Sequence, residues 1–257
     1  MKISIVTISY NSAATIIKTI QSVRIQKEQY KDIEYIIIDG ASTDGTIDII
    51  KANEDVIDIW ISEKDEGISD AFNKGICLAK GKFICLLNSD DELLPNAVLN
   101  VVNNVDDNVD IIHGNILARD EKGFYKVKKP NCDYSLLLTK GMYLNHPGMF
   151  IKKSAYEKWG KYKIEFCCAM DRELLARFVV GGAVFKYIDR ELALFQSGGE
   201  STRNFIKHAL PESRRISLAY GVSPMIVQIE TFKKIFLYIG SITKKKLIWF
   251  IKKRGKR

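Results

Sequence analysis

The sequence has no run of about 18 consecutive apolar residues among its 257 positions, which argues against a membrane-spanning helix. Its five cysteines form no Cys-x-x-Cys pair, and an odd number of thiols favours a reducing compartment over a disulfide framework. Neither a G-x-G-x-x-G pattern nor a P-loop lysine motif is present, so dinucleotide and P-loop chemistry are not indicated. The first apolar run is too short for a signal peptide. These absences predict a cytoplasmic protein.

Acidic residues are missing from the end of the chain. Ten of the 39 basic residues follow Glu230, where no acidic residue occurs, so the first 230 residues carry 29 basic and 31 acidic side chains. The net charge of +8 therefore belongs to the tail. A local basic segment argues against a broad nucleic-acid-binding face and favours a local anionic partner.

The first hundred residues alternate short apolar runs with segments of helical spacing. Predicted strands cover residues 3–9, 33–38, 56–62 and 83–87, and predicted helices cover 15–24, 46–52 and 68–79. Ser12 is the expected cap of the first helix. Alternation of this length predicts an α/β fold with a mostly parallel, Rossmann-like sheet and helices on both faces.

Polar clusters follow the predicted strands at residues 10–11, 39–44, 63–67 and 88–91. Right-handed crossovers bring the carboxyl ends of parallel strands to one edge, where ligands of open α/β sheets bind. Asp39 can accept a hydrogen bond from a base or ribose there, and Gly40 permits close approach. Asp39 and Asp44 can also simply shape the turn, which is the favoured interpretation for Asp44-Gly45.

The segment 83–92 is the most informative, because a buried strand there ends in Asn88-Ser89-Asp90-Asp91-Glu92. Adjacent carboxylates repel each other and need a cation or protons. A hard divalent ion that carries a diphosphate explains such a cluster. The alternative is that Ser89 or Asp90 only caps a helix near Pro95.

Six motifs follow one another along the chain: residues 6–11 (VTISYN), 38–46 (IDGASTDGT), 65–75 (DEGISDAFNKG), 87–91 (LNSDD), 146–147 (HP) and 169–174 (AMDREL). Together and in this order they resemble the motifs of family 2 glycosyltransferases. The similarity covers about residues 1–200 and is greatest with bacterial members that build capsule, exopolysaccharide and lipopolysaccharide O-chains.

This resemblance implies a GT-A fold, a nucleotide-diphospho-sugar donor, Mn²⁺ or Mg²⁺, and inversion at the anomeric carbon. It implies donor-binding roles for a set of residues near the strand ends: Thr7, Tyr10, Asp39, Asn73, Lys74, Asn88 and Asp90. Asp90 and its neighbour Asp91 are the expected metal ligands. Asn88 replaces the first acid of the family's Asp-x-Asp, which puts strict metal dependence in doubt because an amide brings no charge.

The resemblance also implies the residue that performs the chemistry. Asp171 stands at the position of the general base, which takes the proton of the acceptor hydroxyl as it attacks. An acid at the start of a helix is also a routine choice against the helix dipole. His146 and Arg203 are expected near the diphosphate or acceptor, although a lone histidine is more often structural and a glycine-rich segment is often a plain loop.

The chain is predicted to divide into a GT-A domain over 1–205 and a helical basic segment over 206–257. The domain comprises a nucleotide-binding half (1–112) and an acceptor half (113–205), the latter irregular except for a block at 148–185 with a helix over 171–180. The last 27 residues interleave lysines with aromatic and branched residues, and their apolar stretch from Ile235 to Thr243 is too short to span a bilayer. It is expected either to lie on an anionic membrane surface or to dock on the domain.

The sequence thus predicts an inverting transferase that adds one sugar, from a UDP-linked donor, to a glycan or lipid-carrier-linked acceptor in bacterial surface polysaccharide synthesis. It would work at the inner face of the cell membrane, without nucleic acid. A nucleotidyltransferase would need a glycine- and lysine-rich loop near the N-terminus, which residues 9–12 do not provide. A catalytically inactive glycan- or membrane-binding scaffold is the alternative that Asn88 leaves open.

Overall fold

Isoleucine-rich strands and short helices alternate through the first half of the chain. In this computed structural model, which describes residues 1–119, 123–196 and 204–254 with side chains up to residue 240, the elements of that half are as follows. The strands are β1 (Ile3–Ser9), β2 (Ile33–Asp39), β3 (Ile59–Ser62), β4 (Phe83–Asn88) and β5 (Glu92–Leu93). The helices are α1 (Ile16–Gln29), α2 (Thr46–Lys51), α3 (Ile68–Leu78) and α4 (Ala97–Val102).

The second half of the chain adds further strands to the same sheet and further helices around it. The strands are β6 (Ile111–Arg119), β7 (Tyr125–Lys128), β8 (Met149–Lys152) and β9 (Phe185–Gln196). The helices are α5 (Leu136–Thr139), α6 (Lys153–Trp159) and α7 (Met170–Val180), followed by a π-helical turn (Phe205–Ala209), the helix Leu210–Ala219 and the C-terminal helix Pro224–Arg254.

One sheet runs through the described residues in the order β3-β2-β1-β4-β8-β6-β9-β5, with β7 paired to β6. The strands β1 to β4 pair in parallel, whereas β8 runs antiparallel to both β4 and β6. Helices cover both faces: α1 and α4 pack on one apolar cluster, and α3, α6 and α7 pack on the other. The predicted α/β architecture of a central sheet between helices is confirmed. The boundaries proposed at residues 112 and 205 remain predictions.

The helix α1 continues to Gln29, five residues beyond its predicted end. The apolar periodicity stops at Val23. The side chain of Gln26 is nevertheless buried, and both its amide nitrogen and its amide oxygen are hydrogen-bonded. Its amide nitrogen donates to the carbonyl of Leu94, and its oxygen accepts from the N–H of Val98. A satisfied polar side chain can thus extend a buried helix face that an apolar pattern does not mark. The side chain of Ser12 does not form the expected cap, because its hydroxyl donates to the carbonyl of Tyr10 and accepts from Ser89 Oγ.

The prediction of irregular structure after residue 113 is wrong. β6 is nine residues long and pairs with β7, β8 and β9. Its pattern is interrupted by the buried polar residues His113 and Asn115, which flank a register shift against β9. These side chains are bonded to Tyr134 and Tyr187, so a central strand tolerates them.

Candidate active site

The carboxyl ends of β1, β2, β3 and β4 lie along one edge of the sheet because these strands pair in parallel. The polar segments at 10–11, 39–44, 63–67 and 88–91 follow them and are brought together as expected. Here this row is called the strand-end edge. It contains both residues that are open to a ligand and residues that are bonded internally.

Asp39 belongs to the second kind. Its side chain is fully buried, and its carboxylate accepts hydrogen bonds from Ser9 Oγ at 2.9 Å, Ser62 Oγ at 2.7 Å, and both the backbone N–H and the hydroxyl of Ser42. A carboxylate offers about four acceptor positions, so these donors occupy them. Asp39 therefore ties the ends of β1, β2 and β3 to one another.

Asp44 joins the loop after β2 to the loop after β1. Its oxygens accept from the N–H of Ala13 at 3.0 Å and from the N–H and hydroxyl of Thr46. The hydroxyl of Thr46, followed by the Ala13 N–H, lowers the pKa of Asp44. The backbone of Asn11 adopts a left-handed conformation beside it, with φ of 47°. These contacts agree with the turn-shaping interpretation of Asp44.

Tyr10 is open to solvent at the same edge, with 67% of its surface exposed. Next to it, a Cβ atom added to Gly40 would lie 2.6 Å from Asp65 Oδ2 and 3.4 Å from the Tyr10 ring. Only glycine fits this position without displacing a neighbour. An exposed aromatic ring can stack on the flat face of a nucleobase, and a half-buried carboxylate beside it can accept hydrogen bonds from the polar edge of that base.

The two adjacent acids in the segment after β4, Asp90 and Asp91, differ in their exposure to solvent. The side chain of Asp90 is exposed, whereas that of Asp91 is 1% exposed. Asp91 accepts from the Asn88 amide at 3.1 Å and from the N–H of Gln196 at 3.3 Å, and its carbonyl accepts from Thr19. The helix α4 begins only at Ala97, after β5, so neither Ser89 nor Asp90 caps it.

Burial, and then the charge of Asp90, raise the pKa of Asp91 to about 8. The Asp91 carboxyl is therefore mostly protonated at neutral pH. Asp91 is buried and bonded inside the protein, whereas Asp90 is exposed, so Asp90 is the acid of this pair that an ion at the edge would reach.

A second group of residues reaches the same edge from the far half of the chain. β8 runs antiparallel to β4, with Cys85 opposite Phe150, so the turn His146–Gly148 that precedes β8 lies beside the end of β4. Phe72 of α3 packs against the ring of His146 with centroids 5.5 Å apart, and against Tyr162 at the same distance. α3 itself follows the polar segment after β3. His146 is therefore adjacent to the strand-end edge.

Asp171, His146 and Tyr162 form a hydrogen-bonded cluster. The hydroxyl of Tyr162 donates to Asp171 Oδ1 at 3.1 Å, and His146 Nε2 lies 3.4 Å from the same oxygen and 3.3 Å from the tyrosine oxygen. Burial, and then the charge of Asp171, raise the pKa of Tyr162 well above its usual value, so its hydroxyl stays protonated and donates. The Asp171 side chain remains 24% exposed. One oxygen of this carboxylate is thus oriented by the protein in a site that solvent reaches.

The backbone that carries Asp171 is fixed from several sides. Glu212 accepts the N–H groups of Cys167, Cys168 and Ala169, which immediately precede α7. Arg172 is 2% exposed and donates to the carbonyls of residues 137, 138 and 213. Glu173 is also buried and pairs with Lys163 and Arg177. Neither neighbour of Asp171 is a surface residue.

A pocket of about 520 Å³ opens beside Asp171. It is bounded by aromatic rings and by cationic side chains, namely Tyr143, Phe205, Tyr238, Lys140, Arg172 and Lys234. Burial, and then the charge of Arg172, lower the pKa of Lys234 to about 8. Lys234 belongs to the C-terminal helix and donates to Ser213 Oγ at 2.8 Å, so that helix forms one wall.

Three predicted donor-binding residues have partners within the protein. Thr7 is fully buried inside β1, where the hydroxyl of Tyr35 donates to it at 3.2 Å. The amide of Asn73 makes two hydrogen bonds with the backbone of Tyr162, and thereby holds that residue against Asp171. Lys74 pairs with Glu63 at 2.8 Å and with Asp70. Arg203 lies outside the described residues.

The sequence analysis did not identify Tyr162, Glu212 or Asp65. Asp65 stands in the quoted motif 65–75, two residues before a glycine of φ 109°, and its position after a strand could have marked it. Nothing in the sequence near Tyr162 or Glu212 shows that these side chains contact Asp171 or the backbone before it.

A family model and individual relatives of known sequence all associate the chain with glycosyltransferases. The family model described as "Glycosyl transferase family 2" matches residues 4–178. An uncharacterised glycosyltransferase of Mycobacterium tuberculosis is 31% identical over 179 residues, which are 68% of each chain. The UDP-Glc:alpha-D-GlcNAc-diphosphoundecaprenol beta-1,3-glucosyltransferase of Escherichia coli is 30% identical over 190 residues, which cover 74% of this chain and 66% of that protein.

Solved structures share the fold at low sequence identity. Staphylococcus aureus TarS in complex with UDP-GlcNAc superposes with a TM-score of 0.68 at 14% identity, covering 84% of this chain and 64% of that one. The Pyrobaculum calidifontis mannosyltransferase in complex with GDP-Man and Mn²⁺ superposes with a TM-score of 0.66 at 16% identity, covering 92% and 69%. The chain thus spans just under two thirds of the TarS fragment and shares the architecture of both transferases.

Proposed function

The chain belongs to glycosyl transferase family 2, and from this membership we propose that it is an inverting enzyme that transfers one sugar from a nucleoside-diphosphate donor to a glycan on a lipid carrier. The observation that carries the proposal is the cluster of Asp171, Tyr162 and His146 between the strand-end edge and the 520 Å³ pocket. This arrangement supports a donor on the strand-end edge and an acceptor in the pocket.

In the proposed reaction, Asp171 accepts the proton of the acceptor hydroxyl while that oxygen bonds to the anomeric carbon. The bond from this carbon to the diphosphate oxygen breaks, and the nucleoside diphosphate leaves with the electron pair. Attack from the face opposite the leaving group inverts the anomeric centre. Tyr162 donates to one oxygen of Asp171, which directs the other oxygen to the acceptor.

On the donor side, the exposed Tyr10 ring stacks on the base and Asp65 accepts from its polar edge. Asp39 shapes this edge by joining three strand ends, and Asn88 stands beside the diphosphate position. Relatives with UDP-linked activity, such as the Escherichia coli glucosyltransferase, favour a UDP-sugar.

A divalent ion, Mn²⁺ or Mg²⁺, fits this donor set through Asp90, whose exposed carboxylate is the kind of ligand that hard cations take. When bound, such an ion would stabilise the charge that develops on the leaving diphosphate. Because Asp91 is buried, Asp90 is the side chain that would hold the ion.

The test is a screen of nucleotide-sugars by calorimetry, with hydrolysis and transfer assays on the donors that bind. Binding of a UDP-sugar in the presence of Mn²⁺, with release of UDP and inversion of the product anomer, is the expected result. Binding without hydrolysis or transfer to any lipid-diphosphate-linked acceptor would instead support the inactive scaffold. Retention of the anomeric configuration would contradict the role of Asp171.

The C-terminal helix supports association with a membrane surface. Val227, Thr231 and Lys234 face the domain, while an apolar stripe on the other side is exposed: Met225, Ile226, Ile229, Phe232, Phe236, Leu237 and Ile239. Ten basic residues follow Glu230. An exposed apolar stripe with neighbouring lysines favours an anionic lipid surface. No helix among the described residues is long and apolar enough to cross a bilayer.

This membrane proposal is tested with the double variant Phe232→Ser/Phe236→Ser on vesicles of anionic and neutral lipid. Both side chains are exposed, so the fold is retained while vesicle binding falls at least about tenfold, since each loses favourable apolar burial. The matched control is Val180→Ser, a 60% exposed apolar residue of α7, which leaves binding unchanged. Equal vesicle binding by the double variant and the control would remove the membrane role.

A further inference from the structure

A cysteine, a histidine and a glutamate meet at the rim of the pocket, away from the acids of the strand-end edge. The possible ligand atoms of Cys167, His208 and Glu212 all lie within 4.8 Å of one another. Cys167 precedes α7, His208 lies in the π-helical turn, and Glu212 lies in the following helix. We propose that these three residues bind a zinc-class transition metal ion that joins the start of α7 to the segment 204–212.

The donor set identifies the class of ion. A thiolate and an imidazole are ligands of borderline and soft metals such as Zn²⁺, whereas Mg²⁺ and Mn²⁺ prefer oxygen. Ligand atoms in a tetrahedral zinc site stand about 3.5 Å apart, from metal–ligand distances of about 2.0 to 2.3 Å. The widest separation therefore needs to close by about 1.3 Å, whereas the distance from Cys167 Sγ to Glu212 Oε1, at 3.0 Å, is already shorter than that spacing.

The backbone brings the ligands to this spacing. His208 and Glu212 are four residues apart, which places them on one side of a helical segment. A π-helical turn contains His208, and such turns are common at functional sites. Glu212 is held in place by the N–H groups of residues 167 to 169. The carboxylate is therefore oriented before an ion arrives.

Cys167 supplies the exchangeable proton. Its thiol donates to Glu212 Oε1 at 3.0 Å. A bound ion replaces this proton with a metal–sulfur bond, so binding releases one proton to the solvent. The thiol proton is then lost together with its hydrogen bond, and the Glu212 oxygen becomes available to the ion.

The proposed metal site lies next to the wall of the 520 Å³ pocket, so a bound ion would affect the shape of that pocket. Cys168 and Ala169 on one side, and Ala209 and Leu210 on the other, line the pocket next to these ligands. Asp171 follows only two residues after Ala169. An ion here fixes the distance between the pocket wall and the helix that carries Asp171. The inference concerns metal binding and does not rest on the proposed transferase mechanism.

The experiment titrates Co²⁺, a spectroscopic substitute for Zn²⁺, into chelator-treated full-length protein kept in excess Mg²⁺. One equivalent binds, with a thiolate-to-cobalt charge-transfer band, and Zn²⁺ displaces it. Cys167→Ser abolishes the band, and His208→Ala weakens binding at least about 100-fold, since loss of even an outer partner of a metal site costs 10- to 100-fold. Cys77→Ser, which alters another exposed cysteine, leaves band and affinity unchanged.

Two results would overturn the proposal: no stoichiometric Co²⁺ binding in the presence of Mg²⁺, or a charge-transfer band that persists in Cys167→Ser. Thermal unfolding of each variant without metal checks folding, and Cys167 is exposed, so its replacement by serine is tolerated. Failure of the transferase assay leaves these binding results unaffected.

Discussion

The strand-end edge and the cluster around Asp171 are built in different ways. At the edge, Asp39 and Asp44 bind neighbouring loops, Asp91 is buried, and Tyr10 and Asp90 are exposed to solvent. Around Asp171, side chains from three separate segments of the second half meet, and a half-buried carboxylate faces a pocket. The edge joins neighbouring loops and exposes a few groups, whereas the cluster orients a single reactive group. Substitutions should therefore separate the two regions by their effects on binding and on turnover.

The largest effect is expected from Asp171→Asn. Loss of the base lowers kcat by about 10²- to 10⁴-fold, the usual contribution of general base catalysis, while nucleotide binding at the strand-end edge is retained. Initial rates of transfer and calorimetry with UDP measure the two quantities. The control Glu157→Gln, an exposed acid of α6, changes neither. Unchanged turnover in Asp171→Asn would assign the base to another residue.

The edge is tested next by comparing its two adjacent acids. Asp90→Asn removes the exposed carboxylate and lowers metal-supported turnover about 100-fold, because stabilisation of the leaving diphosphate by a metal ion is worth several kcal/mol. Asp91→Asn replaces a buried, largely protonated carboxyl and changes turnover less than about tenfold. Rates measured over a range of Mn²⁺ concentrations distinguish the two. A larger loss in Asp91→Asn would reverse the assignment of the metal ligand.

A smaller effect is expected where the cluster positions its base. Tyr162→Phe removes the hydrogen bond to Asp171 and lowers kcat about tenfold, since such a bond to a charged group is worth about 1.5–3 kcal/mol. Nucleotide affinity stays the same. An unchanged kcat would mean that Tyr162 has only a packing role.

The last prediction concerns stability and pH at the edge. The pKa of Asp91 is raised to about 8 in the folded protein, against about 3.9 in an unfolded chain, so the folded state holds the extra proton between these values. Its contribution to stability is present below pH 4 and is lost as the pH rises towards 8. The difference in unfolding free energy between wild type and Asp91→Asn, measured in urea at several pH values, shifts in favour of the variant over this range. A difference that is constant with pH would contradict the raised pKa.

Much of the edge could be predicted because its residues are contiguous with strands. The isoleucine runs of β1 and β2 mark buried parallel strands, and polar residues directly after them must lie at the carboxyl edge. The orientation of each side chain could not be predicted. Asp90 and Asp91 are neighbours in sequence, yet the turn exposes one and buries the other.

The strands of the second half of the chain were harder to predict from the sequence for a related reason. β6 contains His113 and Asn115, whose burial depends on partners 21 to 72 residues away. No local pattern shows that such partners exist. The same holds for Asn73, whose motif indicates the family but whose amide serves the backbone of Tyr162.

The sequence by itself determined the alternation of strands and helices, the polar edge, the family motifs and the basic end of the chain, because each depends on neighbouring residues and their periodicity. The tertiary structure alone decided which acids face solvent, which residues orient Asp171, and that Cys167, His208 and Glu212 meet. Those features depend on contacts between distant segments, and only burial and hydrogen bonding in the folded chain fix their geometry.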